Sequence, residues 1–118
     1  MKFLIVDDSK VSRRKISTYV KELGYNIVAE AENGLEAVKL SNELKPDFII
    51  MDLEMPIMNG TDASKEIITN NKNIIIIIVT STISKKDKVT VLQNGAKRIL
   101  EKPIAFDVFK NTIQEIME

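Results

Sequence analysis

Along this chain, short runs of consecutive apolar residues alternate with longer stretches in which apolar residues recur every three or four positions. Five runs stand out: Phe3 to Val6, Ile27 to Ala29, Phe48 to Met51, Ile74 to Val79, and Ile99 to Leu100. Runs of this length, rich in β-branched residues, predict strands. Ile16, Tyr19, Val20 and Leu23 fall at i, i+3, i+4 and i+7, and Phe109, Ile113, Ile116 and Met117 mark a similar stripe near the C-terminal end. Both stretches predict amphipathic helices. The intervals Leu35 to Leu44, Asp62 to Asn70 and Lys85 to Asn94 have the length of crossover helices with weaker periodicity.

Strands that alternate with helices imply a mostly parallel sheet covered on both faces, and strands buried on both faces should be continuously apolar. Ile74 to Val79 fits that description best. The second run follows Asn26 and precedes Glu30 and Glu32, which makes it the expected edge strand. Asn33-Gly34, Asn59-Gly60 and Asn94-Gly95 are hairpin dipeptides in form, but no alternating partner strand lies close enough, so loop or helix-cap roles are expected.

The 118 residues suit one domain, expected over residues 1–118 with no room for a separate output domain. Lys plus Arg and Asp plus Glu number 17 each, without a long basic run, which argues against a nucleic-acid partner. There is no Cys and no His, so disulfides, thiolate zinc sites and phosphohistidine chemistry within the chain are excluded. The N-terminus has no signal-peptide layout, and the longest apolar run is about a third of a membrane span. A cytoplasmic protein without membrane insertion is the expectation.

In open parallel α/β sheets, ligands bind beyond the carboxyl ends of the strands. Here the first strand ends in Asp7-Asp8, the third in Asp52, the fourth in Thr80-Ser81 and the fifth in Lys102-Pro103. All are expected to point into one crevice. Three carboxylates at one edge repel each other unless a cation sits among them, and an all-oxygen set suits Mg²⁺. Lys102 and Thr80 would then face the charge on a transferred phosphoryl group.

The segments FLIVDDSKVSR, PDFIIMDLEMPIMNG, IIIIIVTSTIS and NGAKRILEKPI, in that order, resemble the successive motif blocks of response-regulator receiver domains over essentially the whole chain. The resemblance implies a doubly wound, flavodoxin-like (βα)₅ three-layer sandwich with sheet order 2-1-3-4-5. It implies a two-component signalling switch rather than a conventional enzyme, one that catalyses its own phosphorylation and dephosphorylation. Position by position, Asp52 matches the phosphoacceptor, and Asp8 matches the direct metal carboxylate. Asp7 matches the acid acting through metal-bound water, and the Glu54 backbone carbonyl a further metal ligand. Thr80 matches the switch hydroxyl, Lys102 its cationic partner, Ser81 a phosphoryl contact, and Lys102-Pro103 a cis bond. The cofactor implied is Mg²⁺, with Mn²⁺ as a substitute. The phosphodonor is a histidine kinase or phosphotransfer protein, and a downstream protein target is expected on the face of the fourth helix, fifth strand and fifth helix. A monomer is implied, with dimerisation on phosphorylation as the alternative state.

Singly, each residue has an ordinary reading. Asp7-Asp8-Ser9 could cap a helix, Asp52 could be a loop acid, Lys102 a solvated charge and Thr80 a common strand end. Met51, Met55 and Met58 read as core and loop packing. The chain departs from the family pattern at Ile99, where an aromatic switch residue is usual; a β-branched residue there shifts the expected signal toward the loop after Thr80 and the fourth helix. Two competing functions remain: a receiver-fold interaction module indifferent to phosphorylation, and a haloacid-dehalogenase-like phosphatase. The second is disfavoured because that family places D-x-D after its first strand. Dinucleotide binding lacks the G-x-G-x-x-G it needs.

Overall fold

A computed structural model describes residues 1–118. The elements alternate without exception: β1 (Lys2–Val6), α1 (Lys10–Glu22), β2 (Asn26–Ala31), α2 (Gly34–Leu44), β3 (Phe48–Met51), α3 (Gly60–Asn70), β4 (Ile75–Thr80), α4 (Lys85–Gln93), β5 (Arg98–Glu101) and α5 (Phe106–Met117). All strand pairs are parallel and their order is β2-β1-β3-β4-β5, the doubly wound arrangement expected.

Side-chain alternation explains the continuous apolar runs. Leu4, Val6, Ile49, Met51, Ile76 and Ile78 point to one face, where Ala37, Val38, Ala63, Ile67 and Val91 of α2, α3 and α4 cover them. Phe3, Ile5, Phe48, Ile50, Ile77 and Val79 point to the other, under Ile16 and Val20 of α1 and Phe109 and Ile113 of α5. Both faces are dry, so neither parity of the strand can be polar.

The edges are where sequence and structure differ. β2 is indeed an edge strand, but it extends past the apolar run to Ala31 and carries Glu30 outward; a register shift opposite Phe3 and Leu4 accommodates its extra residue. β4 begins at Ile75 and ends at Thr80, leaving Ile74 buried just outside it. Met117, read as part of the buried stripe of α5, is largely exposed near the helix end, where its sulfur accepts the Tyr25 hydroxyl. Two Asn-Gly pairs open helices: Asn33 and Asn59 accept the amides of Glu36 and Asp62, capping α2 and α3. Asn94 is the C-cap of α4, followed by Gly95 at φ +107°.

Candidate functional site

The sheet ladder continues one residue beyond three strands and places the site. The Asp7 amide donates to the Ala31 carbonyl (3.0 Å), the Asp52 amide to Val6 (3.0 Å) and the Lys102 amide to Thr80 (2.9 Å). Each functional side chain therefore leaves a backbone position fixed by the sheet, at the carboxyl edge where β1, β3 and β5 end.

Asp7 and Asp52 are buried, while Asp8 is exposed at the rim; one oxygen from each lies within 4.8 Å of the others. The Lys102 ammonium stands between the two buried acids, donating to Asp7 Oδ2 at 2.5 Å and Asp52 Oδ2 at 3.1 Å. The remaining oxygens are also satisfied: the Ser9 amide donates to Asp7 Oδ1 (2.9 Å) and the Leu53 amide to Asp52 Oδ1 (2.7 Å). Burial alone lowers the Lys102 pKa, but the hydrogen bonds it donates to Asp7 and Asp52, and their negative charge, outweigh it and hold the ammonium above its ordinary 10.5. Ser9 meanwhile caps α1 by accepting the Ser12 amide, so the acidic turn serves both the helix and the site.

Asp7, Asp8, Asp52, Glu54, Ser81 and Lys102 line one open crevice together with Ser9, Ser12, Met55 and Pro56. Thr80 stands at the end of the strand next to Ser81. Its side chain, 2% exposed at the end of β4, turns its hydroxyl to the Thr82 carbonyl at 3.5 Å. Ile99 is half-buried against the core, and the Lys102-Pro103 bond is cis. Behind Asp52, Gly60 is obligatory: a Cβ there would meet the Asp52 carbonyl oxygen at 2.2 Å.

Sequence reasoning missed Arg13. This buried residue of α1 donates to the Asp7 carbonyl (2.7 Å) and pairs with Glu30 (3.2 Å) and Glu32 (3.4 Å), so it ties the acidic turn to the end of β2. Its signal was available, since Arg13 sits one turn before Ile16 on the buried stripe of α1, a place a free cation would not occupy.

Residues 3–114 match the family model described as the response regulator receiver domain. The chain belongs to that family. The receiver is 38% identical over 107 residues to the chemotaxis protein CheY of Listeria monocytogenes, covering 91% of this chain and 90% of that one. It is 40% identical over 100 residues to CheY of Thermotoga maritima, covering 85% and 83%. Among solved structures, it superposes on a CheX-CheY-BeF3-Mg complex from Borrelia burgdorferi with a TM-score of 0.93 at 27% identity, over 100% of this chain and 90% of the other. The flavodoxin-like receiver fold and a place in CheY-like two-component signalling follow, and receivers of this kind are signalling proteins rather than conventional enzymes. No helix of the receiver is long and apolar enough to cross a membrane.

Proposed function

We propose that residues 1–118 act as one cytoplasmic receiver that takes a phosphoryl group onto Asp52 and signals by protein–protein binding. The observation that carries this reading is the Lys102 ammonium held jointly by Asp7 and Asp52, with Asp8 close by. A cation already bridges the two buried acids, and the crevice around them is open to solvent.

The donor set fits Mg²⁺: three carboxylates within reach of one another and no nitrogen or sulfur ligand. Asp7, Asp8, Asp52 and the Glu54 carbonyl would hold it, and Mn²⁺ could replace it. When bound, the ion supplies positive charge for the phosphoryl oxygens. Asp52 contributes the attacking carboxylate oxygen, and its bond to phosphorus forms as the bond to the donor's nitrogen or acyl oxygen breaks. Lys102 moves from its carboxylate partners to the new phosphoryl oxygens, and the Ser81 amide donates beside it. Thr80 is free to follow, because its 3.5 Å bond to Thr82 is at the limit of hydrogen-bond length. Dephosphorylation would be tuned by Glu54, which lines the crevice two residues after Asp52. A Glu54→Asn variant is expected to change the decay rate of the phosphorylated form while leaving its urea midpoint in place; equal decay rates would remove Glu54 from this role.

The donor would be the phosphohistidine of a histidine kinase or phosphotransfer protein. The output would be a protein bound on α4, β5 and α5, with the receiver a monomer before phosphorylation and a dimer as an alternative output state. Ile99, packed against the core there, offers no ring to rotate inward, so the loop after Thr80 and α4 would carry the change. Intact mass after incubation with acetyl phosphate, with and without Mg²⁺, tests the reading. A labile gain of one phosphoryl group requiring both Mg²⁺ and Asp52, and lost in Asp52→Asn, is expected. No gain under any condition would favour the phosphorylation-independent module instead.

A further inference from the structure

The connection that carries Lys102 into α5 is held to α1 by a single side-chain hydrogen bond. Tyr19, on the fifth strand's side of α1, donates its hydroxyl to the Ile104 carbonyl at 2.8 Å. Its ring is seated edge-on against Phe106 (centroids 5.3 Å apart) and tilted against Phe109 (5.8 Å), so the hydroxyl is aimed by packing from α5. Ile104 is buried two residues after Lys102. The other side-chain bonds of α1 run to β2 and Glu32 just beyond it, to the acidic turn or within the helix. Nearer the site, α1 and the connection are separated by a cavity of about 410 Å³, bounded by Ser12, Lys15 and Ile16 on one side and Lys102, Pro103 and Ile104 on the other.

We infer that Tyr19 is a positioning residue for Lys102: the Thr80 carbonyl holds the lysine's amide, and the Tyr19 hydroxyl latches the Pro103–Ala105 connection on its other side to α1, so that together they set where the ammonium stands between Asp7 and Asp52. The cavity gives the connection room to move once the latch is open, and nothing else from α1 replaces the bond. The ammonium's two partners lie on other strands, so a shift of the connection would lengthen both contacts together. Neither Asp8 nor the acidic turn depends on Tyr19, which separates the latch from metal binding. This inference rests on the phosphorylation reading for its kinetic consequence but not for its geometry.

Tyr19→Phe keeps the ring and removes only the hydroxyl, and Tyr25→Phe removes the other phenol of the chain as a control. Three readouts are taken on each variant: the rate of phosphorylation by acetyl phosphate at saturating Mg²⁺, the Mg²⁺ dissociation constant by calorimetry, and the Lys102 ammonium signal in nitrogen-15 NMR. Tyr19→Phe is expected to phosphorylate about fivefold more slowly, the factor that one ordinary hydrogen bond is worth. Its ammonium signal should broaden while its Mg²⁺ affinity stays within about twofold of wild type, since about twofold lies well inside that one-bond factor. Tyr25→Phe should match wild type throughout. The assignment is overturned if Tyr19→Phe matches wild type in rate or in ammonium signal, if its Mg²⁺ affinity falls as far as its rate, or if Tyr25→Phe loses as much. Should wild type itself accept no phosphoryl group, the phosphorylation reading falls and the ammonium signal alone decides the latch.

Discussion

Replacing Asp52 by Asn should stabilise the metal-free receiver, and that advantage over wild type should shrink once Mg²⁺ is added. The three carboxylates approach within 4.8 Å, where like charges repel by at least ~3.5 kcal/mol per pair at an effective dielectric of about 20. Removing the Asp52 charge ends two such repulsions. It also ends the attraction to Lys102 at 3.1 Å, worth ~5 kcal/mol on the same scale. The Leu53 amide keeps an acceptor in the Asn side-chain oxygen, and Lys102 keeps Asp7. The balance favours the variant by roughly 2 kcal/mol, reduced to about 1 because Asp8 is exposed and screened. For a domain of this length that is a rise of about 4 °C in melting temperature. With Mg²⁺ at a hundred times its dissociation constant, wild type gains about 2.7 kcal/mol, and a variant short of one carboxylate gains less. Urea unfolding followed by far-ultraviolet circular dichroism, at pH 7 and low salt, with and without Mg²⁺, measures both differences. A variant less stable than wild type without metal, or a difference unchanged by Mg²⁺, would refute the electrostatic account.

The raised pKa of Lys102 is a stability term that is fully present below 10.5 and disappears as pH rises through the folded value, so wild type should lose its margin over Lys102→Met only above pH 10.5, up to the alkaline unfolding limit. Parallel urea curves for the two proteins over that range check the sign. Arg13→Met strands the buried Asp7 carbonyl and frees Glu30 and Glu32, and should cost about 2–3 kcal/mol in urea. Arg13→Lys can keep only part of that bonding and should fall between them. Gly60→Ala forces a methyl group into the Asp52 carbonyl and should cost about 3 kcal/mol, seen as a lower melting temperature; a neutral result would show that the turn can open.

What was legible in the sequence was whatever burial writes locally. Ile76 and Ile78 face one layer and Ile77 and Val79 the other, and an unbroken apolar run is the only way to satisfy both. The acids and Lys102 were legible because strand ends define the sheet's carboxyl edge. The misreadings fall where the partner is remote or the environment mixed. Thr80 closes its strand as expected, and the Thr82 carbonyl 3.5 Å from its hydroxyl is a local partner that the strand pattern does not show. Tyr19 reads as one more member of an apolar stripe, since its acceptor lies 85 residues onward. α4 buries only Val91, which is why its periodicity is faint.

The two flanks of the crevice are built differently. On the β3 side, the Gly34 amide donates to Met58 and the Gly60 amide to Leu53, both at 2.8 Å, and Gly34 lies so close to Met58 that a Cβ would meet its carbonyl at 2.4 Å. Backbone is welded to backbone there. On the β4 and β5 side, one backbone bond, from the Lys102 amide to the Thr80 carbonyl, is supplemented only by side chains: a long bond from Thr80, the Lys102 ammonium and the Tyr19 hydroxyl. Amide protons should record the difference, with Gly34 and Gly60 exchanging slowly with solvent deuterium and the amides of Ser81 to Ser84 exchanging early. A chemical event at Asp52 thus meets a stiff wall on one side and a compliant one on the other. The asymmetry gives the signal a direction of travel before any partner has bound.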